Sequence, residues 1–126
     1  MANELTVNLT LQFLKGNVSI RKALTDSITV AGARGSDHIQ SLTAGASTLV
    51  SMAGVAPAAV PGMLLIQNLD ATNYVELSMD TAFAVDNVFA KLLAGQFCIF
   101  PPKLVSTLYA KANTGDCNIM TTAIEL

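Results

Sequence analysis

The chain has 126 residues, 52% of them hydrophobic and 13% charged, which is ample for one packed domain, 1–126, and inconsistent with a disordered chain. Seven basic against nine acidic residues leave a net charge of −2. No basic run or interleaving of Arg or Lys with aromatics occurs, so no nucleic-acid partner is expected. Apolar runs of about four to six residues fall far short of the roughly 20 that a membrane helix needs, so no membrane span is expected.

Met1-Ala2-Asn3-Glu4 is polar and leads straight into alternation, without the basic and apolar regions of a secretory signal. With no export expected, the sequons Asn8-Leu9-Thr10 and Asn17-Val18-Ser19 read as coincidence. Residues 5–13 alternate strictly, with Leu5, Val7, Leu9, Leu11 and Phe13 on one face and polar residues on the other. This predicts a strand whose apolar face packs into the core. Lys15-Gly16-Asn17 interrupts it, and Val18-Ser19-Ile20 continues as a bulged or returning strand.

A short strand is predicted at 27–30, then a loop at 31–37 in which Arg34 is a candidate for a salt bridge to a neighbouring subunit. Two more strands are predicted at 38–43 and 47–52. The segment 54–61, with Pro57 and Pro61, breaks regular structure because proline removes a ladder donor and restricts its predecessor.

From Gly62 onward the pattern predicts three hairpins: 62–69 with 74–79, 88–93 with 96–100 across Ala94-Gly95, and 107–112 with 117–124 across Asn113-Thr114-Gly115-Asp116. Residues 80–87 form an irregular crossing, and Pro101-Pro102-Lys103 bends the chain from one sheet toward another. Roughly ten short strands at this spacing predict an all-β fold, an antiparallel β-sandwich or barrel of jelly-roll type.

Chemistry-bearing residues are sparse. His38 is the single imidazole and has no nearby Ser, Cys or carboxylate pattern, so it reads as a surface or hydrogen-bonded residue. Cys98 and Cys117 lack metal-ligand spacing and read as small buried hydrophobes. No P-loop, dinucleotide fingerprint or nucleophile elbow is present, so no enzyme, cofactor or metal is expected. The apolar fraction exceeds the roughly 45–50% of an average soluble domain. Although the alanines around 56–59 supply part of the excess, this points to surface buried against other chains.

Three stretches, 65–76 (Leu-Ile-Gln-Asn-Leu-Asp-Ala-Thr-Asn-Tyr-Val-Glu), 91–101 (Lys-Leu-Leu-Ala-Gly-Gln-Phe-Cys-Ile-Phe-Pro) and 108–114 (Leu-Tyr-Ala-Lys-Ala-Asn-Thr), resemble a family of small structural proteins of tailed bacteriophages. The alternating strand closed by Lys15-Gly16-Asn17 is similar to theirs as well. The family tends to carry a basic residue after the Phe of the second hairpin, where this chain has Pro101-Pro102 before Lys103. The resemblance implies a virion protein without catalytic residues: a capsid cement or decoration subunit bridging capsomers, or alternatively a tail, neck or fibre component. Expected partners are the major capsid protein or other virion proteins and further copies of the chain, with a trimer expected from the frequency of threefold sites on icosahedral lattices. A carbohydrate-binding module is the remaining alternative, with Tyr74 and Tyr109 as candidate stacking residues.

Overall fold

The computed structural model describes residues 5–30, 32, 34–52, 55, 61–101 and 108–125. Expectations for the first four residues, for most of the 54–61 break with its alanines, and for the bend at Pro102-Lys103 lie outside them. Ten strands follow in order: β1 Leu5–Lys15, β2 Val18–Ile28, β3 Gly35–Leu42, β4 Thr48–Leu49, β5 Pro61–Asn68, β6 Val75–Ser78, β7 Val88–Leu92, β8 Phe97–Phe100, β9 Tyr109–Ala112 and β10 Cys117–Glu125. No helix occurs among the described residues, and every pairing of these strands is antiparallel. The chain is all-β. It divides into two compact units, Met1–Gly32 and Ala33–Leu126.

The first unit is a hairpin. Gly16, at φ +58°, takes the first central position of a two-residue loop, and Lys15 then pairs with Val18. A turn with positive φ at that position matches the right-handed twist of the strands it joins. The register runs without interruption from there to Leu5 opposite Ile28. The returning strand is therefore far longer than 18–20 and absorbs the first half of the separate strand expected at 27–30.

The second unit holds two four-stranded sheets, ordered β3-β10-β5-β8 and β4-β9-β6-β7. Both contribute to one buried cluster. Leu42, Leu64, Ile66, Cys117, Ile119 and Ala123 come from the first sheet, and Val75, Leu77, Leu92, Ala110 and Ala112 from the second. In β10 burial alternates residue by residue from Cys117 to Ala123, as a strand with one face on a core requires. Burying a Leu, Ile or Val side chain fully contributes about 1.5–3 kcal/mol, so this cluster is the principal source of the unit's stability.

The three predicted hairpins do not form. β5, β8 and β10 lie in one sheet and β6, β7 and β9 in the other, so each expected pair is an arch that carries the chain between sheets. Turn chemistry is present in all three connections, but it records that the chain reverses, not which strand then accepts its hydrogen bonds. At Ala94-Gly95 the amide of Gln96 closes a turn onto the Leu93 carbonyl at 2.9 Å, yet the Gln96 carbonyl then accepts from Asn68 at the end of β5. Gly95 supplies the positive φ, +74°, that this turn needs. The β6–β7 pair is a true hairpin, formed across the segment read as an irregular crossing.

The arch between β5 and β6 is held by Asn68, a fully buried amide. Its Nδ2 donates to the carbonyls of Asn73, Leu92 and Leu93 at 2.8, 3.1 and 3.2 Å, while its Oδ1 accepts from the Asp70 amide. One side chain on β5 thus ties its own connection to the end of β7 in the opposite sheet. On the other side of the unit, Gln40 of β3 donates to the Leu49 carbonyl and accepts from the Ser51 amide.

Candidate interaction surfaces

Residues opposite each other in an antiparallel pair share a face. One face of the hairpin carries Leu5, Val7, Leu9, Leu11 and Phe13 from β1, matched by Ile28, Asp26, Leu24, Lys22 and Ile20 from β2. The other carries Thr6, Asn8, Thr10, Gln12 and Leu14 against Ser27, Thr25, Ala23, Arg21 and Ser19, with the Thr25 hydroxyl donating to Asn8 Oδ1 at 2.9 Å. The apolar face is not in a core. Leu11 is 57% exposed, Phe13 47% and Leu24 62%. This corrects the expectation that residues 5–13 pack inward: alternation identified the two faces rightly, but the apolar one is spent outside the buried cluster. A two-stranded hairpin is marginal at best in water when left alone, so a covering surface is what this face lacks.

The outward faces of the two sheets in the second unit differ in chemistry. On the β3-β10-β5-β8 sheet, Ile39, Met120, Gln67 and Phe97 form one register row, and Asp37, Thr122, Leu65 and Ile99 the next. Ile39 and Phe97 are exposed and the rest of the apolar members half-buried. On the other sheet the register aligns Lys111, Glu76 and Lys91. Lys91 Nζ lies 3.7 Å above the Tyr74 ring and Lys111 Nζ 4.8 Å above that of Phe83. One outward face is thus largely apolar, and the other carries this charged row beside Tyr109 and the exposed Leu49.

The residues singled out from sequence are not gathered at one place. Arg34 is exposed, and its backbone is tied to Glu125: its amide donates to Glu125 Oε2 and its carbonyl accepts from the Glu125 amide. Tyr74 has one ring face occupied by Lys91, and its amide donates to Asn113 Oδ1. Tyr109 stands in β9, paired with Leu49 on one side and Ser78 on the other.

His38 pairs in register with Thr121. Both ring nitrogens of His38 and the Thr121 hydroxyl are buried without a hydrogen-bond partner, so this half-buried histidine is not the hydrogen-bonded residue expected. Cys98 and Cys117 are free thiols, half-buried and buried. β5 separates their strands, and Cys98 lies level with Thr121, four residues along from Cys117, beyond the roughly 7 Å a disulfide allows. Burial pushes both thiols above the ordinary cysteine value, helped at Cys117 by the carboxylates of Asp70 and Asp116. The backbone amides of Asn73 and Thr72 donate to Asp70 and hold its carboxyl below the ordinary aspartate value. No group of three metal-capable side chains occurs among the described residues.

The β2 half of the hairpin face and the apolar outward rows were not singled out from sequence. The first was legible in the placing of Ile20, Leu24 and Ile28 at every second even position, four residues apart and so on one face of a strand, once the two-residue loop at Gly16 fixes the return. The second required knowing which strands are neighbours. No protein-family model, curated protein or solved structure matches the chain.

Proposed function

We propose that the protein is a structural component of a bacteriophage virion, a capsid cement subunit that bridges and stabilises capsomers without catalysing a reaction. The observation that carries this reading is the apolar face of the hairpin, half-buried at Leu5, Val7 and Ile28 and exposed from Leu9 to Phe13, an element that a partner surface would complete. The apolar outward rows around Ile39, Leu65 and Phe97 supply a second contact, suited to a shell protein.

The second unit is further proposed to be a jelly roll. Counted along the chain from β3, its strands lie in the orders 1-8-3-6 and 2-7-4-5. That arrangement supports the eight-stranded double Greek key found in viral capsid domains, lectins and cupins. Fold does not give function, so the assignment to a virion rests on the family resemblance together with the two apolar surfaces.

Many weak contacts repeated over a lattice add by multivalency. Particles lacking the protein should therefore assemble but lose their genome at a lower temperature, and added wild-type protein should restore them where Ile39→Asp or Phe97→Asp does not. Unchanged heat stability together with missing tails or failed adsorption would replace this reading with the tail, neck or fibre alternative.

A further inference from the structure

We infer that the hairpin's apolar face pairs with the same face of a second copy of this chain across a two-fold axis. This rests on the assembly role proposed above and names the partner at that surface.

The argument is in the order of residues along the face. Leu9 opposite Leu24 is its centre. Outward from Leu24, β2 presents Lys22 then Ile20 in one direction and Asp26 then Ile28 in the other, while β1 presents apolar residues from Leu5 to Phe13 and ends in Lys15 beside the turn. Both charges are exposed. The row therefore reads apolar, positive, apolar, negative, apolar, and turning it end over end exchanges the two signs.

Consider two such faces stacked with the two-fold axis between them, perpendicular to the strands and through the central pair. Each strand then lies over its own copy running the opposite way. Leu9 meets Leu9 and Leu24 meets Leu24; Val7 meets Leu11, Leu5 meets Phe13 and Ile20 meets Ile28. Lys22 faces Asp26 of the second copy, and the symmetry makes that contact twice. Stacked sheets lie about 10 Å apart, a gap that a lysine and an aspartate reaching from opposite sides can close.

Competing arrangements lose this match. An axis along the strands puts β1 over β2, so Lys22 and Asp26 are buried against Leu11 and Val7. Sliding the two-fold stack by two residues sets each charge against a leucine or isoleucine, and sliding it by four sets Lys22 on Lys22 or Asp26 on Asp26. Buried unpaired or like charges disfavour all of these. Charge thus specifies the register that the leucines alone leave degenerate, and it favours a two-fold pair over the threefold assembly expected from lattice frequency.

Sedimentation velocity of the full chain tests this with Lys22→Asp, Asp26→Lys and the double exchange. Wild type should form a dimer. Each single variant opposes like charges twice and should weaken it about tenfold or more, whereas the double exchange restores opposite signs and should return to within about threefold of wild type. Unchanged thermal melting of the second unit in all variants would show that folding is intact. Equal association of all four proteins, a wild-type trimer, or a wild-type monomer would each overturn the pairing. Amide exchange in such a monomer identifies the true occupant: slow exchange from 5 to 28 means the chain covers its own hairpin, and fast exchange leaves the face to another protein. A monomer that still restores heat stability to particles would sink the pairing and leave the assembly role standing; a dimer without effect on particles would do the reverse.

Discussion

The hairpin Leu5–Ile28 and the eight-stranded unit after it are built from the same alternation of apolar and polar residues, and they use it in opposite ways. In β10 the apolar side of the alternation is buried from Cys117 to Ala123; in β1 and β2 Leu11 and Leu24 stand more than half exposed. Period-two patterning establishes that a strand has two different faces. Where the apolar face is spent depends on how many other strands lie over it, and a single hairpin supplies none.

This comparison is broken most strongly in the core. Leu77, fully buried in β6, should cost about 2–5 kcal/mol as Leu77→Ala, through lost burial and the cavity left behind. Leu11→Ala in the hairpin should change the second unit's unfolding free energy, read from urea titration, by less than about 0.5 kcal/mol. Equal losses at the two sites would show that the hairpin belongs to the same cooperative core.

Asn68→Ala should cost about 1–3 kcal/mol in the same titration, because the carbonyl of buried Leu92 and the part-buried one of Leu93 lose a donor. A neutral result would mean that the arch is held by its neighbours. Glycine sharpens the contrast between the units. At both Gly95 and Gly16 an added Cβ meets nothing within 4 Å, so the penalty for alanine is conformational alone, about 1 kcal/mol. Gly95→Ala should lower the second unit's midpoint, whereas Gly16→Ala should leave it in place and speed amide exchange only between 5 and 28.

The smallest effect is Asp70's. Its carboxyl titrates lower when folded than the ordinary 3.8, so its contribution is present above that value and is lost as pH falls through the lower folded value. The difference in midpoint between wild type and Asp70→Asn should therefore shrink on acidification. A constant difference would mean that the amides of Asn73 and Thr72 do not stabilise the charge.

Much of this architecture is written locally. The strand class, the turn at Gly16 and the reversals at 69–74, 94–95 and 113–116 follow from alternation and from residues that tolerate tight backbone. Strand partners do not, because Asn68, Gly95 and Asp116 serve an arch as well as a hairpin, and the choice is made by contacts between strands distant in sequence. The outward rows joining Ile39, Met120, Gln67 and Phe97 exist only after four separate strands have been ordered. The hairpin face was nearer the surface of the sequence, since one two-residue loop sets its whole register.

Amide hydrogen exchange followed across protein concentration tests most directly whether the hairpin is a separate element whose apolar face awaits a partner. When dilute, amides of β1 and β2 should exchange much faster than those of β5 and β10, and they should slow as concentration rises while the second unit's amides stay unchanged. Hairpin amides as slow as those of β10 at every concentration would contradict the account, because the face would then already be covered within the single chain.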